Sequence, residues 1–100
     1  MNDYIFLMHN DVNSENSPGS DAAWSQYLAV LRTTGRFGGG SSIGDGICVR
    51  KNGTASEITT KLGGYITVQA ESLEEAKKLL VGNPVFEAGG TVEIRDLPRE

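Results

Sequence analysis

The sequence predicts one α+β domain, and the chain length and the order of the predicted elements are the two observations that support it. One hundred residues are about enough for one domain, so residues 1–100 are expected to fold as a single unit. Their hydrophobic periodicities give the order strand, helix, glycine-rich hairpin, strand, helix, strand. This β-α-β-β-α-β order is that of the ferredoxin-like, split βαβ arrangement, with both helices on one face of the sheet.

The first predicted strand spans residues 4–9 and is apolar on both of its alternating sides. Tyr4, Phe6 and Met8 lie on one side, while His9 ends the other side. A strand with two apolar sides is typical of the middle of a sheet that is covered on both faces. We therefore expect this strand to be central.

The first predicted helix follows a polar, glycine- and proline-containing loop, and either Ser17 or Ser20 is placed to cap its N-terminus. Its apolar residues recur at helical spacing and are Trp24, Tyr27, Leu28 and Leu31. This spacing puts the four side chains on one buried face. Gly35 is expected to end the helix in a left-handed cap.

The second predicted helix begins with a capping box, in which Ser72 and Glu75 each satisfy a backbone amide of the first turn. The stripe that we expect to be buried consists of Leu73, Ala76 and Leu80. Pro84 prevents this helix from continuing.

Glycine dominates residues 35–46, which hold six of the thirteen glycines in the chain. That density favours a bulged edge strand. Residues 47–50 then resume an extended pattern, and Asn52-Gly53 predicts a type I′ turn. Residues 57–61 are therefore expected to return as the second arm of a hairpin.

Two further strands are predicted at residues 65–70 and 91–97. Because both helices cover one face of the sheet, the other face is left open. The residues expected on this open face are Tyr4, Phe6, Met8, Tyr65, Thr67, Gln69, Glu93 and Arg95. Monomers rarely expose such an aromatic patch, so we expect a homodimer that pairs through the open sheet face and encloses a pocket.

The composition argues against several classes of partner. Nine Lys and Arg against thirteen Asp and Glu give a net charge of −4, and no basic stripe is present. Neither nucleic acid nor an anionic membrane is therefore an expected partner. No apolar run approaches the roughly 20 residues of a membrane helix, and no signal peptide is recognised, which favours the cytoplasm.

Cys48 is the only cysteine, so no internal disulfide can form, and its apolar neighbours Ile47 and Val49 predict a buried, inert thiol. One His and one Cys do not make a typical zinc site. The glycine-rich residues 38–44 lack the Lys and the third Gly of nucleotide-binding loops. We therefore expect no metal and no cofactor.

His9 and Asp11 are the first candidates for chemistry, because an imidazole and a carboxylate two residues apart are suited to general acid–base catalysis. Asp45, elsewhere in the chain, is a second candidate carboxylate for His9. The alternative is that a lone histidine at the end of a strand is structural or exposed.

Glu93 and Arg95 are the second candidates, because their i, i+2 spacing places both on one sheet face. Together with Tyr4 and Tyr65 they are expected to bind a small carboxylate or phenol. The alternative is an ion pair at the dimer interface.

The segment Gly63–Ala76, which reads GGYITVQAESLEEA, resembles the core of the YCII-related (DGPF-type) family. Asn83-Pro84 and the segment Gly89–Arg95, GGTVEIR, resemble the closing part of the same family, so the resemblance covers nearly the whole chain. It implies a ferredoxin-like domain that forms a dimeric α/β barrel, with a cleft near the open sheet face.

The resemblance implies no single activity. Most members of the family have no assigned activity, although a few relatives are enzymes, including a dehydrochlorinase of chlorinated aromatics, and a His-Asp pair is implied as catalytic in some. Here the Asp-Gly-Pro-Phe signature is absent, residues 52–57 read NGTASE, and His9 is the only histidine. Two functions stay open at this point. One is a homodimeric domain that binds a small aromatic or acidic molecule. The other is a small cofactor-independent lyase or isomerase in which His9 and a carboxylate transfer protons.

Overall fold

The computed structural model describes residues 1–12 and 21–98. Within these ranges lie four strands and three helices. Their bounds are β1 Asn2–His9, α1 Asp21–Thr33, β2 Phe37–Ser42, β3 Leu62–Ala70, α2 Leu73–Lys78, α3 Pro84–Glu87 and β4 Val92–Leu97. The strands form one antiparallel sheet in the order β2-β3-β1-β4, which confirms a small α+β fold. Of the helices in these ranges, none has the length and apolar character needed to span a bilayer.

Strand β1 is central, as its two apolar sides predict. The side that packs against the helices, however, is the one expected on the open face. Tyr4, Phe6 and Met8 are buried in the core together with Tyr27 and Leu31 of α1. The prediction that these three β1 residues lie on the open face is therefore wrong. Two aromatic rings and a methionine remove more apolar surface from water than the other side of the strand does, so the helices cover them.

The open face of the sheet carries the other side of β1, which includes Ile5 and Leu7. Directly opposed residues of neighbouring antiparallel strands share a face, so the register fixes what surrounds them. The residues of β3 and β4 on this face are Tyr65, Thr67, Gln69, Glu93 and Arg95. Their predicted placement is confirmed. The homodimer through this face stays a prediction. Its apolar contacts would come from Ile5, Leu7 and Tyr65 rather than from the aromatic rings of β1.

Helix α1 has the predicted buried face. Tyr27 and Leu31 are buried in the core. Trp24 and Leu28 are half-buried and pack against it. Gly35 follows the helix with a φ of +72°, a left-handed conformation that glycine adopts without steric cost, so the predicted cap is confirmed. The predicted N-cap residues Ser17 and Ser20 lie outside the described residues.

Helix α2 is short and buries only part of its predicted stripe. Ser72 caps it by accepting a hydrogen bond of 3.2 Å from the backbone N–H of Glu75, as predicted. Ala76 and Leu80 are buried, but Leu73 is 49% exposed. Leu73 lies in the first turn beside β4, at the edge of the sheet, where no other described element covers it.

Helix α3 is not predicted by the sequence, in which Pro84 indicates only the end of a helix. Asn83 caps α3, since its Oδ1 accepts hydrogen bonds from the backbone N–H groups of Val85 and Phe86 at 3.0 and 3.1 Å. Proline is well suited to the first turn of a helix, where its missing N–H has no partner to lose. Helix α2 already ends at Lys78, so Pro84 begins α3 and is not the residue that stops α2.

Residues 43–61 connect β2 to β3 without regular secondary structure, so the hairpin predicted around Gly53 is wrong. Ile47 and Val49 are 84% and 78% exposed, and Cys48 between them is exposed rather than buried. An isolated pair of strands is only marginally stable in water unless one face packs on another element. A strong turn signal therefore does not produce a hairpin here.

Strand β2 is a glycine-rich edge strand with an irregular register between Phe37 and Gly39, as the glycine density predicts. Gly40 lies so close to β3 that a Cβ atom there would meet the carbonyl oxygen of Tyr65 and the Cα of Ile66. Both obstacles are backbone atoms, which cannot rotate away as a side chain can. The pairing of β2 with β3 therefore requires glycine at this position.

We expect Gly40→Ala to lower the free energy of unfolding by about 1–3 kcal/mol, because the added carbon pushes β2 away from β3. Gly44→Ala is the matched control, since a Cβ at Gly44 meets no atom within 4 Å. Urea denaturation of both variants measures the difference. Equal stability of the two variants would contradict the close approach of the strands.

Candidate functional site

His9 is the last residue of β1, and its imidazole meets a carboxylate of the neighbouring strand β4. Its Nε2 lies 3.0 Å from Oε1 of Glu93, with side chains that are 15% and 30% exposed. An ionised carboxylate only accepts hydrogen bonds, so this contact places a proton on Nε2 and leaves Nδ1 for a second partner. The backbone N–H of His9 also donates to the carbonyl of Thr91 at 3.0 Å, which keeps the two strands together at this end of the sheet.

Glu93 links His9 to a cation. Nη1 of Arg95 donates to Oε2 of Glu93 at 2.9 Å, so the carboxylate uses one oxygen for each neighbour. The hydrogen bond from Arg95, and secondly that from His9, holds the pKa of Glu93 below its ordinary value. Glu93 therefore stays ionised at neutral pH and orients the imidazole.

Asp11 serves a different partner from the one the sequence suggests. Its two carboxylate oxygens accept hydrogen bonds from the backbone N–H and the side-chain hydroxyl of Thr91, at 2.9 and 2.5 Å. These bonds hold the pKa of Asp11 below its ordinary value. The carboxylate in contact with His9 is Glu93, while Asp11 fixes the start of β4. Asp45, the other carboxylate considered for His9, hydrogen-bonds the backbone N–H of Gly46 in the exposed connection.

The four residues predicted to bind a ligand are split between the two faces of the sheet. Tyr65, Glu93 and Arg95 share the open face, where Leu7 lies opposite both Tyr65 and Glu93. Tyr4 is buried on the helical face. The structure therefore brings together three of the four residues.

A cleft of about 440 Å³ lies where α1 faces the sheet, beside the end of β1. Its apolar lining includes Met8, Trp24, Leu28, Phe37 and Ile66. Polar groups come from His9, Asn10, Ser41 and Ser42, and Tyr65 also lines the cleft. The sequence predicts a pocket on the open face and not this cleft. The signal for the cleft's apolar wall was the buried face of α1, since Trp24 and Leu28 of that face line it.

The pairing of β1 with β3 shifts beside His9. Met8 pairs with Gly64 and His9 pairs with Leu62, so the extra residue is Gly63 of β3 and the alternation of β1 is unbroken. His9 and Gly63 both line the cleft, so the bulge lies at its rim. Such bulges are frequent next to functional sites.

No three His, Cys, Asp or Glu side chains within residues 1–12 and 21–98 are grouped in a way that could hold a metal ion. His9 and Glu93 supply hydrogen bonding and proton transfer at this end of the sheet.

The pH dependence of stability tests the hydrogen bonds of Glu93. Because folding lowers its pKa, Glu93 stabilises the fold above about pH 4.5 and loses this contribution as the pH falls through the folded-state pKa. Wild type should be more stable than Glu93→Gln at neutral pH, and the difference in Tm should shrink on acidification.

Glu74→Gln is the control, since the carboxylate of Glu74 is exposed and its ion pair with Lys77, at 3.6 Å, is long and therefore weak. Comparing each variant with wild type at the same pH cancels the titration of Asp11. A Tm difference for Glu93→Gln that stays constant from neutral to acidic pH would contradict the role of these bonds.

Comparison with known proteins gives a structure of similar fold and a matching family. A solved structure of 5-chloro-2-hydroxyhydroquinone dehydrochlorinase (TftG) from Burkholderia phenoliruptrix AC1100, in complex with 2,5-dihydroxybenzoquinone, is similar with a TM-score of 0.59. The match covers 100% of this chain and 96% of that chain at 18% sequence identity, a likeness that shows the fold alone. No curated protein matches the sequence. The family model of the YCII-related domain matches residues 3–99, and the chain therefore belongs to the YCII-related domain family.

Proposed function

We propose that this domain has the ferredoxin-like arrangement and binds a small aromatic molecule with a hydroxyl group in the cleft beside α1. The strand order β2-β3-β1-β4 supports the first part. The observation that carries the second part is an apolar cleft with His9 in its lining. Its volume of about 440 Å³ falls within the roughly 300–1,000 Å³ of small-molecule sites.

The lining of the cleft defines the chemistry of the ligand. Trp24, Leu28 and Phe37 offer faces for a ring, and apolar contact with them is the main source of affinity. His9 offers Nδ1 as an acceptor for a hydroxyl proton while Glu93 holds Nε2. Arg95 is 67% exposed and does not line the cleft, so it acts on the ligand only through Glu93.

Fluorescence of Trp24, the only tryptophan, is a direct reporter of ligand binding in the cleft. We expect 2,5-dihydroxybenzoquinone, the molecule in the TftG complex, to quench it in a saturable manner. His9→Ala should weaken binding by about fivefold, the loss expected for one hydrogen bond of roughly 1 kcal/mol.

Val30→Ala is the control for this titration, because Val30 lies on the exposed side of α1 and is absent from the cleft. A parallel titration of free tryptophan corrects for light absorbed by the quinone. Quenching that never saturates, or that His9→Ala leaves unchanged, would contradict binding at this position.

A second function, proton-transfer catalysis by a lyase, is favoured by the 3.0 Å contact between His9 and Glu93. A carboxylate that orients an imidazole is a common arrangement for a general base. In a dehydrochlorination, the hydroquinone first tautomerises to the ketone whose chlorine-bearing carbon also carries a hydrogen. Nδ1 would then take the proton of the hydroxyl para to this ketone, a carbon–carbon double bond would form, and chloride would leave with the electrons of the carbon–chlorine bond to give a quinone. The name of TftG supplies the reaction class, and Glu93 replaces Asp11 as the partner of His9.

Chloride release from chlorinated hydroquinones tests this second function. His9→Ala should reduce kcat by at least about 100-fold, the usual contribution of a positioned base. Glu93→Gln should reduce kcat further than Asp11→Asn does, because only Glu93 touches the imidazole. Turnover that survives His9→Ala, or that depends on Asp11 more than on Glu93, would contradict the assignment.

A further inference from the structure

Asn52 and Gly53 form a dipeptide that the proposed function does not use. The sequence predicts them at the turn of a hairpin, whereas the structure places them in the irregular connection of residues 43–61. Both residues are exposed. Gly53 has a φ of +82°, and a Cβ atom built there would meet no atom within 4 Å. The space around this dipeptide is therefore open to water.

The groups of this dipeptide that can react with each other are not held in place. Within residues 1–12 and 21–98, no hydrogen bond engages the side-chain amide of Asn52 or the backbone N–H of Gly53. The side chain of Asn52 is therefore free to rotate between rotamers, and glycine has no Cβ to shield its nitrogen. In the folded protein the side-chain carbonyl carbon of Asn52 can thus approach the backbone nitrogen of Gly53.

Two other asparagines are held by their side-chain amides. Asn10 donates to the carbonyl oxygens of Thr60 and Leu62 at 3.3 and 3.2 Å. Asn2 donates to the carbonyl oxygen of Glu71 at 3.2 Å. The residue after each of these asparagines is an aspartate, whose Cβ shields the backbone nitrogen as glycine does not. Both asparagines are therefore protected in two ways.

Asn83 is blocked for a different reason. It is fully buried, and its Oδ1 caps α3 by accepting two backbone hydrogen bonds. The residue after it is Pro84, whose backbone nitrogen carries no hydrogen and so has no proton to lose. Asn13 and Asn16 lie outside the described residues. Among the described asparagines, Asn52 alone combines exposure, an amide without a hydrogen bond and a following glycine.

We propose that Asn52 is a site of spontaneous modification, at which the folded protein loses ammonia and forms isoaspartate and aspartate. The backbone nitrogen of Gly53 gives its proton to water and forms a bond with the side-chain carbonyl carbon of Asn52. The bond between this carbon and Nδ2 breaks, and its electron pair moves to Nδ2, which takes up a proton from water and leaves as ammonia. The product is a cyclic imide that joins the side chain of residue 52 to the backbone.

Water then opens the imide at either of its two carbonyl carbons. Attack at the former side-chain carbon breaks the bond of this carbon to the Gly53 nitrogen and gives aspartate. Attack at the backbone carbon of residue 52 breaks the original peptide bond and gives isoaspartate, in which the chain runs through the former side chain. Water is the only co-reactant, and neither step needs an oxidant or a reductant. Both products carry one new carboxylate.

The new carboxylate changes the charge of the connection. Residues 43–61 hold three cationic and two acidic side chains, which are Arg50, Lys51, Lys61, Asp45 and Glu57. One more carboxylate cancels this excess of one positive charge. Neither Asn52 nor Gly53 lines the cleft beside α1, so the modification leaves the proposed ligand site unchanged and does not depend on it.

Peptide mapping by mass spectrometry tests this proposal on the folded chain. Incubation at neutral pH should make the tryptic peptide of residues 52–61 one mass unit heavier, with isoaspartate as well as aspartate at residue 52. Fragments that contain Asn2, Asn10 or Asn83 should keep their mass. The rate at Asn52 should rise toward alkaline pH, because the nitrogen of Gly53 must lose its proton. A sample digested without incubation corrects for modification during the digest.

Gly53→Ala is the matched variant, because it keeps Asn52 and adds only a methyl group beside the attacking nitrogen. It should slow the loss of ammonia at least tenfold, and circular dichroism checks that the variant folds. Thr54→Ala is the control, since it leaves both reacting groups unchanged, and its rate should equal that of wild type.

Wild type unfolded in urea separates the effect of the fold from that of the sequence. Asn52 should react there at a rate similar to that in the folded protein, since the fold does not restrain it. An Asn52 that is stable in the folded protein, or that reacts only in urea, would overturn the proposal. An equal rate for Gly53→Ala and wild type, or aspartate without isoaspartate, would overturn it as well, because the imide forms through Gly53 and opens to both products.

Discussion

The burial of one side of β1 is the constraint on which the rest of this structure depends. Tyr4, Phe6 and Met8 lie beneath the helices, so the alternating residues of the same strand are committed to the open face. A shift of one residue would exchange the two sides and expose both aromatic rings. With this side fixed, the pairing of Leu7 with Glu93 places the carboxylate beside the end of β1, where His9 reaches it. Packing in the core thus determines the contact on which the candidate chemistry rests.

Local signals in the sequence were sufficient for elements whose stability is itself local. The helical spacing of α1, the N-cap of Ser72 and the left-handed Gly35 all depend on residues within one or two turns, and all three are observed. The faces of β1 were not predictable in the same way. Both sides of this strand are apolar, so hydrophobic periodicity contains no information about which side meets the helices. The predicted hairpin after Ser42 failed for a related reason, since a turn signal does not provide the packing that two strands need.

The candidate site was predictable only in part, because its central contact joins distant parts of the chain. His9 and Glu93 are 84 residues apart, and sequence proximity suggested Asp11 instead. The i, i+2 spacing of Glu93 and Arg95 was a sound signal that both lie on one face of β4. The missing information was the register between β1 and β4. Asn83 shows the same limit, since an Asn-Pro pair after a helix signals both a stop and a new cap, and only the structure shows that the cap forms.

The end of β1 joins the cleft to the edge strand β4. His9 contacts Glu93 and lines the cleft beside α1, at the point where the bulge of β3 shifts its register with β1. Under the proposed function, a ligand that hydrogen-bonds the imidazole would alter the acceptor strength of Glu93, because each oxygen of this carboxylate has a different donor. The guanidinium of Arg95 would then respond, since it donates to the same carboxylate. His9, Glu93 and Arg95 therefore form one hydrogen-bonded chain from the cleft to the edge of the sheet.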